Sequence, residues 1–376
     1  MITKLELGGA QINTLYTFRH LDPKKFQAHL LSGPGGLLTA ETEKEHNFHL
    51  LTCLRRRLNP FLDLAALYQV YRCFRRIKPD LVHTHSAKAG IIGRWAAFLA
   101  RVPLKVHSVH GFSFSPFHSL PTRLFYTWAE RITSLITDHL VFVADHDRRL
   151  AGKIGLGRTG NSLIRSGFPF EPFLNSMAEK QLKEELAIPA QNLVCGIIAP
   201  MKAQKGLEHL ARIAALVLER RRDISFLFMG DGILKAKLRK QLADYGILSC
   251  FFMPGFQRDV FRYIALFDIG ISTALWEGLP QSLIQMRLMK KPLVVSDIPG
   301  NAEVVQEGRN GFLIPVQEHD NFADAILRLA DDSRLRKQMA DYDDGDFAEW
   351  RAENMVRSQE ELYCQLGTKK LENLDY

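Results

Sequence analysis

Short apolar runs alternate with amphipathic segments along the whole chain. The strand-like runs of the first half lie at 48–52, 81–85, 104–110, 139–144 and 162–167, and helical patterns occupy 61–77, 88–100 and 118–136. The second half repeats the scheme, with strand-like runs at 193–199, 224–230, 269–274, 292–297 and 311–316 and helical patterns at 206–221, 233–244, 280–290 and 320–330. Strands that alternate with helices at this spacing predict two Rossmann-like, doubly wound α/β domains.

The boundary between the two domains is predicted at 168–190, where the Pro-rich segment GFPFEPF is followed by a stretch without a strand pattern. We expect a first domain at 1–168, a linker at 169–190 and a second domain at 191–345. One amphipathic helix over 347–366 is expected within a C-terminal segment, 346–376, that packs back on the first domain. Because ligands bind beyond the carboxyl ends of strands in open parallel sheets, loops of both domains are expected to face a central cleft. Only MITKL precedes the first glycines, so either the first strand is very short or the true start lies upstream of Met1.

The composition is that of a soluble globular protein. The 376 residues are 46% hydrophobic and 24% charged, which excludes disordered and collagen-like chains. No run of 18 apolar residues occurs, so no transmembrane helix is expected, and the first residues show no secretory signal pattern. The five cysteines lie far apart without a CxxC pair, which favours a reducing, cytoplasmic location over a disulfide or zinc framework.

The positive charge is concentrated in the first half. Residues 1–168 carry 23 Lys and Arg against 11 Asp and Glu, a net charge of +12, whereas the remainder carries 26 against 30, a net charge of −4. A basic half predicts an anionic partner, which on charge alone is a nucleic acid, a membrane surface or a phosphorylated substrate.

Three short motifs resemble cofactor or metal sites, but their contexts favour simpler structures. GLGRTG at 155–160 matches GxGxxG, yet a helix pattern precedes it and a strand follows, the reverse of the dinucleotide-binding order. DHD at 145–147 opens a helix, where Asp145 is expected as the cap. HTH at 83–85 has no Cys or His partners nearby in sequence. No metal site and no cofactor are therefore predicted.

Three glycine- or lysine-containing turns between a strand and a helix suit an anionic ligand. LGGAQ at 7–11 opens the first helix, and PMKAQKG at 200–206 places Lys202 and Lys205 between a strand and a helix. In the segment after 274, a strand ends at Trp-Glu-Gly-Leu-Pro, so the amides of Gly278 and Leu279 are expected to be free near a helix start at about Pro280. Helix N-termini and lysines at strand ends bind phosphate or sugar hydroxyl groups.

Taken in order, these motifs resemble a retaining glycosyltransferase of the GT-B fold, of the large family four. The resemblance covers nearly the whole chain, and its motifs follow the family's order and spacing. In chain order they are LGGAQ, the segment at 83–114, PMKAQKG at 200–206, GDG at 230–232, GFQRDV at 255–260, EGLP and NAEVV. It implies an acceptor-binding first domain and a second domain that binds a nucleotide-sugar donor. That donor is a substrate, and no further cofactor is implied.

The resemblance also implies roles for individual residues. His110 matches the family histidine near the reacting sugar, Lys205 the lysine on the donor diphosphate, and Glu277 the first acid of the E-x7-E motif, so these three are the candidate catalytic residues. Lys202 takes the place of the basic partner of Lys205. The other candidate donor-binding residues are Gly9, Gly230, Gly255, Phe256, Gly278, Leu279 and Gln285.

One departure concerns the second acid of that motif, which is Gln285 here. Gln285 can still bond a ribose hydroxyl, so weaker donor binding is expected rather than a different fold. Met201 and Ala203 also flank the lysines where an arginine often stands in the family.

The function expected from the resemblance is retaining sugar transfer to a lipid-linked, polysaccharide or lipopolysaccharide acceptor, at the inner face of an anionic membrane. Aromatic side chains mixed with Arg123 and Arg131 over 110–132 suit interfacial contact, although a helix packed on the sheet would use the same aromatics. Two alternatives stay open: a nucleotide-sugar epimerase of the same fold, and a non-catalytic basic binding protein. The sequence contains no RNA-binding aromatic motif and no helix-turn-helix signal, so no nucleic-acid partner is expected.

Overall fold

The computed structural model describes residues 1–6, 8–112, 120–177, 179–343 and 345–372. Contacts along the chain divide it into two units. Unit 1 comprises Met1–Phe168 together with Ala348–Tyr376, and unit 2 comprises Pro169–Phe347. Among the helices of the described residues, none combines the length and the apolar character needed to span a lipid bilayer.

Unit 1 is built on a seven-stranded parallel sheet with the strand order β3-β2-β1-β4-β5-β6-β7. Its elements are β1 (Ile2–Lys4), α1 (Gly9–His20), β2 (Leu30–Gly33), α2 (Thr39–Thr42), β3 (Phe48–Leu50), α3 (Pro60–Ile77), β4 (Leu81–His85), α4 (Ala87–Leu99), β5 (Leu104–Val109), α5 (Leu120–Ser134), β6 (His139–Phe142), α6 (Asp145–Lys153) and β7 (Asn161–Leu163). Every residue of β5 is buried, as expected for a central strand with both faces covered.

Local signals in the sequence explain where several of these helices begin and end. The Asn59 side chain accepts hydrogen bonds from the amides of Phe61 and Leu62, and Pro60 occupies the first helical position of α3. The same helix ends at Lys78, whose left-handed conformation stops further turns.

Unit 2 contains a six-stranded parallel sheet with the strand order β10-β9-β8-β11-β12-β13. Its elements are α7 (Glu171–Leu174), α8 (Lys180–Glu185), β8 (Leu193–Ile198), α9 (Leu207–Arg220), β9 (Ile224–Met229), α10 (Lys235–Asp244), β10 (Phe251–Gly255), α11 (Val260–Ala265), β11 (Ile269–Ser272), α12 (Gln281–Leu288), β12 (Leu293–Ser296), α13 (Pro299–Ala302), β13 (Gly311–Ile314), α14 (His319–Asp331) and α15 (Ser333–Asp341). The core lies between the sheet and the apolar faces of α9 and α14. The prediction of two doubly wound sheets is confirmed.

The segment between the two sheets belongs to unit 2. The stretch 169–190, expected as a linker, forms the short helices α7 and α8. Glu179 at the start of α8 accepts hydrogen bonds from Arg262 on α11, with Nη2 2.6 Å from Oε2.

The C-terminal segment returns to unit 1. A short 3₁₀ helix at Asp346–Trp350 precedes α16 (Ala352–Glu372), so the prediction of one continuous helix over 347–366 is wrong at both ends. The break lies where the Ala352 amide donates to the Phe168 carbonyl. Further along α16, Glu360 accepts from the Asp22 amide at 2.7 Å, and the Tyr363 hydroxyl lies 2.6 Å from Nδ1 of His83.

Candidate active site

The strand order of unit 2 reverses direction between β8 and β11. The chain runs outward from β8 to β9 and β10 on one side, then crosses to β11 and continues to β12 and β13 on the other. The loops that leave the carboxyl ends of β8 and β11 therefore diverge and leave a crevice, which is where open α/β sheets bind ligands. The lysine loop, 199–206, follows β8, and the turn 273–280 follows β11.

Backbone contacts fix the lysine loop against its neighbours on both sides. The Met201 amide donates to the Asp231 carbonyl at 2.8 Å, and the Leu275 amide donates to the Gln204 carbonyl at 2.8 Å. The Thr273 hydroxyl donates to the Lys205 carbonyl at 2.9 Å. Gly206 ends the loop with a φ of +58°, and a Cβ there would lie 2.2 Å from the Thr273 oxygen, so only glycine fits. The loop is therefore held in place before any ligand binds.

Lys205 and Glu277 form an ion pair across this crevice. Their side chains are only 15% and 11% exposed. The Gln204 side-chain amide donates to the Trp276 carbonyl at 2.8 Å and to the second Glu277 oxygen at 3.3 Å. The two residues predicted to contact the donor diphosphate and the donor sugar are thus brought together, and Gln204 orients the carboxylate.

The backbone of the Glu277 turn rests on the start of α13. A Cβ on Gly300 would lie 2.5 Å from the Gly278 oxygen and 2.7 Å from the Glu277 oxygen. The neighbouring Asn301 is fully buried and donates to the Ser296 carbonyl at 2.8 Å, while the Ser296 hydroxyl donates to the Ala274 carbonyl at 2.5 Å. These contacts tie the turn after β11 to the loop after β12.

Three further predicted residues lie at the adjacent ends of β9 and β10. Gly230 has a φ of +144°, and its amide donates to the Gly255 carbonyl at 2.9 Å. Gly255 has a φ of +85°, and a Cβ there would lie 3.7 Å from the Asp231 carboxylate. Phe256 follows directly and is exposed, as expected of a side chain available to stack on a planar ligand.

Three of the remaining predicted residues of unit 2 lie in the two loops that border the crevice, and the fourth, Gln285, lies on the helix that follows. Lys202 is half-buried at the start of the 3₁₀ turn of the lysine loop. Pro280 is the N-cap of α12 rather than its first residue. Gly278 and Leu279 therefore precede the helix, and within the described residues their amides donate no hydrogen bond. Gln285 lies on α12, half-buried, and its side chain makes no hydrogen bond to any described residue.

Gly9 and His110 lie in unit 1, at the carboxyl edge of its sheet. The strand order there reverses between β1 and β4. Gly9 begins α1 after β1, and Leu7 of the LGGAQ motif lies outside the described residues. His110 follows β5, next to β4, and its Nε2 lies 3.0 Å from Nδ1 of His85. Burial lowers the pKa of His110 to about 4, so the imidazole is neutral at physiological pH.

The DHD motif does not cap its helix as predicted. Ala144 is the N-cap, and Asp145 is the first residue of α6. Its carboxylate pairs with Arg148 at 2.7 Å and Arg149 at 2.6 Å, and those arginines lower its pKa. In the described part of the chain, no group of three His, Cys, Asp or Glu side chains could hold a metal ion.

Comparisons with known proteins identify the family of the chain. A family model described as Glycosyltransferase Family 4 matches residues 7–167, and one described as Glycosyl transferases group 1 matches residues 192–332. The chain belongs to this family of glycosyltransferases. The first match lies within unit 1 and the second within unit 2, and the unmatched stretch between them, 168–191, contains the boundary between the units.

Relatives of this glycosyltransferase share most of its length. An Escherichia coli UDP-Gal:alpha-D-GlcNAc-diphosphoundecaprenol alpha-1,3-galactosyltransferase is 29% identical over 88% of this chain and 86% of its own. A Staphylococcus aureus capsular polysaccharide biosynthesis glycosyltransferase, CapM, is 21% identical over 93% and 91%. Among solved structures, Anabaena HepE in complex with UDP-glucose superposes with a TM-score of 0.81 at 20% identity, over 97% and 98% of the two chains. That likeness shows the GT-B fold.

Sequence reasoning missed several residues that shape the site. Gln204 and Gly300 act through tertiary contacts that no local pattern reports, and Asn301 was included only as the first residue of NAEVV. His85 was considered only as a possible metal ligand in HTH. Its position at the end of β4, opposite Ser108 and two residues short of His110 on the adjacent strand, could have identified it as the partner of that histidine.

Proposed function

We propose that this glycosyltransferase moves a sugar, with retention of its anomeric configuration, from a UDP-sugar to a lipid-linked or polysaccharide acceptor. The observation that carries the proposal is the Lys205–Glu277 pair at the crevice between β8 and β11. The E. coli relative uses UDP-galactose and a diphosphoundecaprenol-linked acceptor by its name, and CapM is named for capsular polysaccharide. These names supply the donor and acceptor classes.

The pair explains how a donor is bound and activated. Without a donor, Lys205 and Glu277 neutralise each other. A donor diphosphate competes for Lys205, which then stabilises the negative charge that grows on the leaving diphosphate. Glu277, still oriented by Gln204, becomes free to accept a hydrogen bond from a donor-sugar hydroxyl. In a retaining reaction on one face of the sugar, the leaving diphosphate itself takes the acceptor proton, so this step requires no separate base.

The donor site is tested by measuring UDP release from a panel of nucleotide-sugars in the presence of acceptor. Lys205→Ala is expected to lower kcat/KM for the donor by about ten- to a hundredfold, the loss of one charged hydrogen bond. The matched control is Lys240→Ala, which removes an ion-paired but exposed lysine from α10 of the same unit. Equal activity of both variants contradicts the assignment, and conversion of the donor without any acceptor supports the epimerase alternative.

We further propose that unit 1 docks on an anionic membrane through the outer faces of α3 and α5. Large apolar side chains are exposed on both helices, on α4 between them and next to the helix ends. On the helices they are Phe61, Leu62, Leu64, Tyr68, Phe98, Leu99, Leu120, Leu124, Phe125, Trp128 and Ile132, and Leu58 and Leu135 lie just before α3 and just after α5. Phe61 is 87% exposed and Trp128 59%. Soluble monomers rarely expose so much apolar surface without a partner.

The charges around this surface favour an anionic bilayer as the partner. Six exposed arginines accompany the apolar residues of the 55–76 stretch: Arg55, Arg56, Arg57, Arg72, Arg75 and Arg76. On α5, Arg131 is exposed beside Trp128, and the Glu130 carboxylate is buried. Apolar side chains ringed by arginines match the boundary between acyl chains and anionic headgroups. Residues 113–119 of the segment expected to make interfacial contact lie outside the described residues.

Vesicle sedimentation tests the membrane proposal. Phe61→Ser and Trp128→Ser are expected to weaken binding to anionic vesicles, whereas Leu174→Ser, which removes an exposed leucine from unit 2, is expected to leave it unchanged. Binding should also fall between low and physiological salt, because exposed charges are screened over about 8–10 Å. Equal binding to neutral vesicles at every salt concentration, or self-association without vesicle binding, contradicts the proposal.

A further inference from the structure

Three histidines lie together at the carboxyl ends of β4 and β5 in unit 1. His83 and His85 occupy alternate positions of β4, so their side chains share one face of the sheet, and their ring centroids lie 4.3 Å apart. His85 is paired in register with Ser108 of β5, and His110 follows two positions later along the chain. The candidate catalytic histidine therefore has two further rings beside it, neither of which has a role in the proposed function.

The contact between His85 and His110 is a hydrogen bond between two neutral rings. Nδ1 of His85 lies 3.0 Å from Nε2 of His110, and only 6% of His85 is exposed. Burial lowers the pKa of His110 to about 4 and, together with the nearby His83, holds the pKa of His85 well below its usual range. A neutral imidazole carries one N–H and one lone pair, so one of these two nitrogens donates and the other accepts.

The relative stability of the two imidazole tautomers decides the direction of this hydrogen bond. A neutral histidine side chain is more stable with its proton on Nε2 than on Nδ1. If Nε2–H of His110 donates to Nδ1 of His85, both rings keep the preferred tautomer, because the proton of His85 is then on its Nε2. The opposite direction would force both rings into the less stable tautomer. His110 therefore donates, and its own Nδ1 keeps a lone pair.

The hydrogen bonds of His83 differ from those of His110 in one respect. Nδ1 of His83 lies 2.6 Å from the Tyr363 hydroxyl on α16, and its Nε2 lies 2.8 Å from the Ser108 hydroxyl, so both of its nitrogens are used within unit 1. The side chain of His110 makes no hydrogen bond to a described residue other than the one to His85. His83 is therefore a fixed support for the ring of His85, whereas Nδ1 of His110 is left to accept from a ligand.

We propose that His85 is a positioning residue, whose Nδ1 accepts from His110 and so holds that ring with a lone pair on Nδ1 for a sugar hydroxyl. His83, fixed by Tyr363 of α16, supports His85 through ring contact. This role rests on the proposed function, because it takes the ligand beside His110 to be a sugar of the transfer reaction. The C-terminal helix then contributes to the site through one hydroxyl group.

NMR of the full chain, labelled with nitrogen-15 in its histidines, reports the tautomer directly. The signals of His110 are identified by their absence in His110→Asn. In the unmodified protein at neutral pH, Nε2 of His110 should be pyrrole-like and Nδ1 pyridine-like. In His85→Leu the proton should shift towards Nδ1, because a buried N–H without an acceptor is costly. A pyrrole-like Nδ1 in the unmodified protein overturns the proposal, even if His85→Leu does not fold.

Kinetics test whether this tautomer matters for sugar transfer. His85→Leu should lower kcat about three- to tenfold, the loss of one neutral hydrogen bond, with unchanged UDP affinity. His85→Asn, whose amide lies near the position of Nδ1, should restore most of the activity that His85→Leu loses. The matched control is His29→Leu, which removes one ring from the His29–His49 pair of the same unit, where the ring nitrogens are also 3.0 Å apart.

The control variant His29→Leu should leave kcat unchanged. Equal losses of activity in His29→Leu and His85→Leu, or no recovery in His85→Asn, would show that the His85–His110 pair serves stability alone and overturn the proposal. An unchanged kcat in a folded His85→Leu protein overturns it as well. Acceptor-dependent UDP release by the unmodified protein reports separately on the proposed function, because it does not depend on the tautomer measurement.

Discussion

Gly300→Ala should impair the donor site without altering any residue predicted to touch the donor. The added Cβ would lie 2.5 Å from the Gly278 oxygen, whereas ordinary contacts begin near 3.4 Å, so that oxygen must move by about 0.9 Å. The carbonyl oxygen and the Cβ of Glu277 would lie 2.7 and 2.8 Å from the added Cβ, and the turn must therefore shift as a whole. A misplacement of about 1 Å at a reacting centre costs on the order of a hundredfold in rate.

We expect kcat/KM for the UDP-sugar to fall by roughly ten- to a hundredfold in Gly300→Ala, together with weaker UDP binding in a calorimetric titration. The matched control is Gly311→Ala, whose Cβ would lie 2.3 Å from the Leu293 oxygen. Gly311 and Leu293 begin β13 and β12, at the edge of the sheet away from the crevice. This control should lower Tm but spare donor binding. A folded Gly300→Ala protein with unchanged donor kinetics would show that the contact of Gly300 with the Glu277 turn does not matter for the donor site.

Four further outcomes are expected. Glu277→Gln should lower turnover by a factor on the order of ten to a thousand, through loss of one transition-state hydrogen bond, and near-normal transfer contradicts its role. Gln285→Glu should tighten donor binding about five- to tenfold with little change in turnover, and Gln285→Ala should weaken it; identical titrations of all three forms show that Gln285 does not touch the ribose. Activity should survive a chelator, and complete loss restored only by magnesium or manganese overturns that expectation. Burial lowers the pKa of His110 to about 4 in the folded chain, whereas an unfolded histidine has a pKa near 6.5. Between these two pH values the unfolded chain therefore binds one more proton at this residue than the folded chain does. The free energy of unfolding, measured with urea, should therefore decline as pH falls from 6.5 towards 4. The decline should be less steep in His110→Asn, and an equal pH dependence of stability in both proteins contradicts this role of His110.

The alternation of apolar runs and amphipathic segments was enough to predict both sheets, because buried parallel strands and covering helices have different periods. Helix ends were harder to predict. Asp145 has the chemistry of a cap, yet its carboxylate pairs with Arg148 and Arg149 one turn later, a competition that sequence spacing does not resolve. The break before α16 depends on the Phe168 carbonyl, 184 positions away from Ala352 along the chain.

In the candidate site, too, local motifs were predictable from the sequence and long-range contacts were not. Lys205 and Glu277 were found separately, because each lies at a strand end with a recognisable motif. Their direct pairing was not foreseen, because 72 positions separate them along the chain and only the strand order brings β8 beside β11. The arginines on α3 contribute to the positive charge that the sequence shows for the first half of the chain. The exposure of Phe61 and Trp128 could not be predicted, because it depends on which helix faces pack on the sheet.

Sugar transfer with retention from a UDP-sugar is tested most directly on the product. The full chain is incubated with UDP-galactose and a lipid-linked α-N-acetylglucosaminyl diphosphate, and the linkage of the product is determined by proton NMR. If galactose is not the donor sugar, other UDP-sugars are tried with the same acceptor. We expect an α-linked disaccharide and one UDP released for each sugar transferred. A β-linked product, or no acceptor-dependent UDP release with any UDP-sugar, would contradict it.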